Sequence, residues 1–502
     1  MLKAKPTITS ESLLDEMRNL RTEIYKEGQE LFASWRPRIK RRAFLIGAQN
    51  LAYYLAMRGR DLRELQTALM PFGLSSLGRS ESRVLPTLDA VIATLEALNN
   101  IPENERINHP RVNAFFRGER MLKRQVTDLF GTMRDKRQVR IMVTFPSEAA
   151  ENPDFVLDMV ERGMDVARIN CAHDNPDVWS KMIEHVRAAA RVQRRDVKVL
   201  MDLGGPKPRT ADVINSKKIH VGNTMLLTKA PPKKSALGEY AAAARCTLPE
   251  VLDQLDENAT VWIDDGKIGC TVERLALDGV VLRVTHAPIN GAKIKPEKGL
   301  NFPDSDLTIS PLTDDDLKAL DFAATHADMI GYSFVQDAGD IALLQRELAK
   351  RIENPQEVAI IAKIETPRAI RNLPELIVAA AGKQPFGVMI ARGDLAIEVG
   401  YERTAEMQEE ILWLCEAAHV PVIWATQVLE RFVKEGMPSR SEMTDAAMSA
   451  RAECVMLNKG EFAGEAVTIL DDLLTRMQQH QSKKTPQLRA LRSWAKFVGG
   501  SS

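Results

Sequence analysis

Two short runs carry the residues best suited to chemistry. Residues 387–391 are apolar apart from a leading glycine and give way to Arg392, Gly393 and Asp394; residues 358–364 end on Lys363, with Glu365 next. Uninterrupted apolar runs of this length suit strands buried on both faces of a parallel sheet. Residues two apart on a strand share a face, so Lys363 is predicted to point with Glu365, and Arg392 with Asp394. Two carboxylates and two cations at strand ends can hold a divalent metal and an anionic substrate. Each pair alone is what an ordinary ion pair would look like. Their joint placement points to a site.

The elements that must position them repeat. Short apolar strands alternate with amphipathic helices from residue 139, with strands predicted at 140–145, 166–171, 197–203, 329–335, 358–365, 387–395, 421–427 and 454–459. Eight such units predict an α/β fold, a (β/α)8 barrel whose active site lies at the C-terminal strand ends. Most of these strands end in polar residues: Arg168 and Asn170, Asp202, Ser333, Lys363 and Glu365, Arg392 and Asp394, Thr426 and Gln427, and Asn458 with Lys459. Between the third and fourth strands, turn signals at Asp264 to Gly266, Asp278-Gly279 and Asn290-Gly291 separate alternating runs. They predict a small β-barrel lid domain inserted over the rim. The expected division is 1–136, an all-α N-terminal extension; 137–210 and 303–480, the barrel; 211–302, the lid; and 481–502, a basic tail.

Two features of the first 136 residues invite a functional reading. The stretch from Gly73 through Gly78, Arg79 and Ser80 has P-loop spacing with arginine in place of lysine, but a helical pattern precedes it, and an interhelical turn is the expectation. The basic run Arg36, Arg38, Lys40, Arg41 and Arg42 beside Trp35 is read as a solvated helix start. The helices themselves are read as a small module of their own.

Composition excludes other classes. Lys plus Arg equals Asp plus Glu at 68 each, so no net field draws the chain to nucleic acid or to an anionic membrane. No apolar run reaches membrane-spanning length and the start lacks an apolar signal core, so a cytoplasmic protein is expected. Five cysteines without CxxC spacing are read as free thiols.

Residues 164–170, 200–210, 298–303, 362–365, 391–395, 425–427 and 438–442 resemble, in order and spacing, the motifs of pyruvate kinases. The resemblance implies a transferase of glycolysis: a kinase moving phosphate from phosphoenolpyruvate to ADP, giving pyruvate and ATP, with Mg2+ as cofactor. It further implies Glu365 and Asp394 as metal ligands, and Lys363 and Arg168 on the transferring phosphoryl group. Gly393 and Asp394 would bind the substrate carboxylate, with Thr426 beside the enolate carbon. Asn170, His173, Arg209 and Lys298 would face the nucleotide. A homo-oligomer, taken as a dimer, is expected.

Departures from the family pattern matter too. Of the potassium ligands that the resemblance implies, Asn170 and Asp202 remain, but Ala172 and Leu203 replace the two hydroxyl residues, and Lys207 stands where many members have glutamate. A fixed ammonium could supply the missing charge, so potassium independence is expected. The family usually adds a C-terminal regulatory domain, for which the sequence after residue 474 is too short; no sugar-phosphate control through it is expected. Two alternatives stay open: a magnesium-dependent lyase working through pyruvate enolate, and a catalytically silent, metabolite-binding regulatory homologue.

Overall fold

The computed structural model describes residues 9–486 apart from 135, 216 and 239. The expected eight strands are β1 (Arg140–Thr144), β2 (Val166–Asn170) and β3 (Lys198–Asp202), then, after the insertion, β11 (Met329–Tyr332), β12 (Ala359–Ile364), β13 (Phe386–Ala391), β14 (Val422–Ala425) and β15 (Cys454–Leu457). They close into a parallel barrel in the order β1-β15-β14-β13-β12-β11-β3-β2.

The strands read as continuous apolar runs because both faces are covered. One alternating set, including Met142, Val166, Leu200, Met329, Ile361, Met389, Ile423 and Met456, fills the barrel. The other, including Ile141, Ala167, Met201, Ile360, Ile390 and Trp424, packs outward among the helices. Leu122, Val126, Leu129 and Phe130 of the helix Arg117–Phe130 join the inner cluster. That helix therefore packs against the barrel interior with its apolar stripe.

The insertion is a seven-stranded sheet: β4 (Thr210–Asn215), β5 (Thr224–Thr228), β6 (Ala242–Cys246), β7 (Thr260–Ile263), β8 (Ile268–Ala276), β9 (Gly279–His286) and β10 (Leu300–Asn301), in the order β10-β7-β8-β9-β5-β6-β4. It has its own buried cluster, built on Val261, Cys270, Leu282 and Leu300. The β8–β9 turn falls at Asp278-Gly279, where Gly279 has φ +151° and a Cβ would lie 2.1 Å from the Leu227 carbonyl oxygen, so only glycine fits.

The N-terminal helices do not keep a core to themselves. Leu13, Met17 and Ile24 of Ser10–Trp35, Leu51 and Tyr54 of Leu45–Arg58, and Leu88 and Ile92 of Val84–Leu98 belong to the same buried cluster as the barrel's outer shell. Buried Asn50 donates to the carbonyls of Glu81 (2.6 Å) and Ala417 (2.8 Å) and accepts from Val84 N–H (3.0 Å), tying both parts together. The basic run also departs from expectation. It follows a helix end at Trp35, and Trp35 and Arg38 both bond the Glu375 carboxylate at 2.7 Å, while the amides of Lys40 and Arg41 donate to Gly382 O. Arg36, Arg38, Lys40 and Arg42 nevertheless stay exposed, as a solvated run should, and Arg42 opens the turn before the helix Leu45–Arg58. The segment thus docks by its backbone and Trp35 while its charges face solvent. Residues 73–80 lie between two 3-10 turns with no strand before them, as an interhelical turn should.

All five cysteines are free thiols. No described helix is long and apolar enough to cross a membrane. The tail forms a short hairpin, Gln481–Ser482 with Thr485–Pro486, in which Lys483 pairs with Glu453 and Lys484 with Glu81. The helical spacing of Leu488, Leu491 and Trp494 lies outside the described residues.

Candidate active site

Three barrel strands deliver one charged cluster, and two more hold it by hydroxyl groups. At the end of β3, buried Asp202 accepts through Oδ2 from Arg168 Nε (2.8 Å) and Nη2 (2.5 Å) at the end of β2. Lys363 Nζ, near the end of β12, lies 3.6 Å from the same oxygen, 3.3 Å from Glu365 Oε1 and 2.6 Å from Ser333 Oγ after β11. Arg168 also donates to Thr144 Oγ1 of β1 at 3.0 Å. The strand register makes this possible, since Asn170 pairs with Asp202 and Arg168 with Leu200.

These charges do not cancel evenly. Burial opposes ionisation of Asp202, but Lys363 and Arg168 outweigh it and hold the carboxyl below its ordinary range; its Oδ1 nevertheless has no partner among the described residues. Burial likewise opposes the charge on Lys363, and Asp202 and Glu365 overcome it, so the ammonium stays protonated. Glu365 goes the other way. Burial pushes its carboxyl up, Lys363 opposes, and the nearby charge of Asp394 adds to the rise. Its Oε2 accepts from Phe334 N–H at 2.6 Å.

Asp394 is not on a strand. β13 stops at Ala391, and Arg392 opens the helix Arg392–Val399. The expected shared strand face of Arg392 and Asp394 is therefore corrected: the side chains part. Arg392 turns back to Asp445 (2.5 and 2.9 Å) and the Ala425 carbonyl (2.9 Å), stacked 4.7 Å from the Trp424 ring. Asp394 Oδ1 instead accepts from Lys207 Nζ (2.6 Å) and Asn301 Nδ2 (3.2 Å), while its Oδ2 has no partner among the described residues. Glycine followed by a good helix-forming stretch is compatible with either reading locally; the strand ends where parallel pairing with β14 ends, at Ala391.

Thr426 sits at φ +63° and Gln427 at +55°, left-handed values that a β-branched threonine rarely adopts. Each such residue costs on the order of 1–3 kcal/mol and persists when its surroundings over-determine it. Here the Thr426 hydroxyl accepts from Gly393 N–H (2.8 Å) and donates to Ala425 O (2.7 Å), and Arg392 holds the Thr426 carbonyl at 2.5 Å.

The lid turn Asp264–Asp265 stands beside this rim: Lys207 Nζ lies 3.9 Å from the exposed Asp265 Oδ1, while Asp264 pairs at 2.7 Å with Lys298 within the lid itself. Hydrogen bonding to Asp264 raises the Lys298 pKa. Of the expected nucleotide residues, Arg209 and Lys298 lie at the lid base, Arg209 donating to Glu297 O at 3.1 Å. Asn170 ends β2 and His173 lies on the loop after it, where Asn170 Oδ1 accepts from Ala172 N–H at 3.2 Å. These two pairs are not bonded to each other. A cavity of about 190 Å3 opens beside the cluster, lined by Phe302, Phe334, Thr366, Arg368 and Glu398 among others.

Sequence reasoning placed Ser333 at a strand end but missed Asn301, Asp445 and Glu398. Glu398 stands four residues after Asp394, a helical spacing visible only once residues 392–399 are read as helix. Burial pushes it up to about 7, the Asn301 bond opposing and Asp394 adding.

Among the described residues no group of three or more His, Cys, Asp or Glu is arranged to hold a metal. Glu365 and Asp394 are nonetheless chemically suited to share a cation. Their mutual repulsion disfavours ionised Glu365, and a divalent ion with oxygen ligands would relieve it.

Residues 136–467 match the family described as "Pyruvate kinase, barrel domain". Among curated relatives, proteins named pyruvate kinase from Geobacillus stearothermophilus and Thermococcus litoralis are 29% and 31% identical, over 68% and 69% of this chain and 57% and 70% of theirs. Pyruvate kinase PKLR of Rattus norvegicus is 30% identical over 64% of this chain and 56% of its own. The chain thus spans little more than half the length of the Geobacillus and rat proteins. With its barrel matched from end to end, the chain belongs to the pyruvate kinase family.

Proposed function

We propose that the protein is a magnesium-dependent phosphotransferase that moves the phosphoryl group of phosphoenolpyruvate to ADP and releases pyruvate and ATP. The observation that carries this reading is the convergence of Lys363, Arg168 and Asp202 beside Glu365, on the barrel rim next to the lid turn Asp264–Asp265. Phosphoryl transfer needs little covalent help from a protein. It needs in-line positioning and positive charge where negative charge spreads over the equatorial oxygens.

Glu365 and Asp394 would hold Mg2+, which when bound supplies a Lewis acid that neutralises phosphoryl and enolate oxygens. Lys363, kept protonated by Asp202 and Glu365, places a fixed ammonium on the transferring group, and Arg168 of β2, locked by Asp202, supports it from the opposite side. The amides of Gly393 and Asp394 at a helix start suit the substrate carboxylate, which would replace the Thr426 hydroxyl as acceptor for Gly393 N–H. That exchange frees Thr426, beside the enolate carbon, to take part in its protonation. Asn170, His173, Arg209 and Lys298 face the nucleotide, and the lid excludes water that would otherwise intercept the phosphoryl group.

Potassium independence belongs to the same proposal. Ala172 and Leu203 offer no side-chain oxygen, Asn170 Oδ1 is engaged in its own turn, and Lys207 already brings an ammonium to Asp394. A cytoplasmic enzyme acting as a homodimer completes the reading; light scattering on the purified protein measures the subunit number.

The experiment is a coupled assay with phosphoenolpyruvate, ADP and Mg2+, following pyruvate. Turnover that requires all three is expected. Binding of phosphoenolpyruvate without turnover would support a silent homologue, and pyruvate release from a hydroxy-oxo acid by C–C cleavage, with no phosphoenolpyruvate present, would support a lyase.

A further inference from the structure

Asn301 belongs to the lid by its backbone and to the barrel by its side chain. It is the second residue of β10, paired with Trp262 of β7 in the lid sheet. Its amide nitrogen donates to Asp394 Oδ1 at 3.2 Å and Glu398 Oε1 at 2.9 Å, two carboxylates one turn apart on the helix Arg392–Val399. The residue is 3% exposed, and its carbonyl oxygen has no partner among the described residues. A buried amide that leaves its acceptor unmatched while its donor spans two carboxylates is placed for those carboxylates, because an unmade buried hydrogen bond is unfavourable.

Both donors that reach Asp394 arrive on the same oxygen. Lys207, which also approaches Asp265 of the lid turn, lies on Oδ1, as does Asn301. Oδ2 is left for another partner. A carboxylate fixed by one oxygen presents the other in a set direction, as hydrogen-bonded partners do for metal ligands.

We infer that Asn301 is a positioning residue that fixes the free oxygen of Asp394 for the divalent cation and ties that carboxylate to the lid sheet, so that cation binding and lid position are coupled. This rests on the metal reading proposed above. The coupling is reciprocal by linkage: a cation that prefers the fixed carboxylate steadies the lid, and a displaced lid weakens the cation.

The test uses the full chain, with Mn2+ as the probe and no substrate. Wild-type protein should bind Mn2+ in paramagnetic titration and should show slower amide exchange across the 260–301 lid segment when it does. Asn301→Ala should weaken Mn2+ about 10-fold, the low end for loss of a partner that orients a metal ligand. It should also lose the Mn2+-dependent slowing of exchange while thermal unfolding stays cooperative. Glu398→Gln, whose amide oxygen still accepts from Asn301, should keep wild-type Mn2+ affinity and lid protection. Unchanged Mn2+ affinity and protection in Asn301→Ala would overturn the inference, as would a Glu398→Gln variant as impaired as Asn301→Ala, which would assign the effect to the Glu398 charge. Should wild-type protein fail to bind Mn2+, the metal reading falls, and this inference with it.

Discussion

The two ends of the barrel both bury charge, and they do so in opposite ways. At the N-terminal end of the strands, Asp165 is 1% exposed and both its oxygens are engaged: Oδ1 by Arg195 (2.9 Å), Oδ2 by Ile141 N–H (2.9 Å) and Arg137 (2.9 Å). Arg137 in turn reaches Asp471 at 2.6 Å and the Gly163 carbonyl at 2.6 Å. At the C-terminal end, Asp202 is equally buried, but both cations crowd one oxygen and leave the other without a partner, while Glu365 is pushed toward its neutral form. Burial of charge is therefore no sign of function by itself. The carboxylates make the difference: Asp165 has both oxygens engaged, although Arg134 Nε and Arg195 Nε beside it have no partner among the described residues, whereas Asp202 keeps one oxygen without a partner and Glu365 is disfavoured as an anion.

This contrast can be broken in several ways. The largest effect is expected at the N-terminal end. Asp165→Ala strands buried guanidinium groups and should lower unfolding free energy by about 3–5 kcal/mol in urea titrations, while turnover per folded molecule holds. A loss of turnover with unchanged stability would reverse the assignment of the two ends. Next comes Lys363→Met at the other end. It should keep Mn2+ binding yet reduce kcat by about 10²- to 10³-fold, the scale of removing one preorganised charge from a transition state. Unchanged turnover would refute its role.

A smaller effect concerns the cation at Asp394. With Lys207 in place, turnover in potassium-free buffer should match that in potassium-rich buffer at fixed ionic strength; strong activation by potassium would show that the ammonium does not substitute for it.

The smallest effect sharpens the comparison with an uncompensated carboxyl at the N-terminal end. Burial pushes Glu416 up to about 7 from an ordinary 4.5, Lys483 opposing and Glu81 and Glu453 adding. The folded state thus holds that proton more tightly than the unfolded chain, so its contribution to stability declines as pH rises from about 4.5 to about 7. Glu416→Gln should gain on wild type across that window, with no relative change below it, as read from melting temperatures at stepped pH. A difference that is flat throughout would mean the carboxyl titrates normally.

The Lys363–Glu365 pair shows what was legible in sequence. Both residues sit where a parallel strand ends, strand periodicity puts them together, and the structure finds them 3.3 Å apart. The same periodicity misled at Arg392 and Asp394, because it was carried past the point where β13 loses its pairing and a helix begins. The N-terminal helices were equally legible as helices, yet their spacing says nothing about which surface covers their apolar stripe, and that surface is the barrel.

Taken alone, the amino-acid order determined the eight strands, the inserted sheet and the polar residues at strand ends, because strand and turn preferences depend on neighbours within a few positions. Tertiary structure decided which carboxylates are compensated and which are not. Lys207 and Asn301 reach Asp394 across 187 and 93 residues of chain, and electrostatic environment depends on distance in space, which no local pattern records.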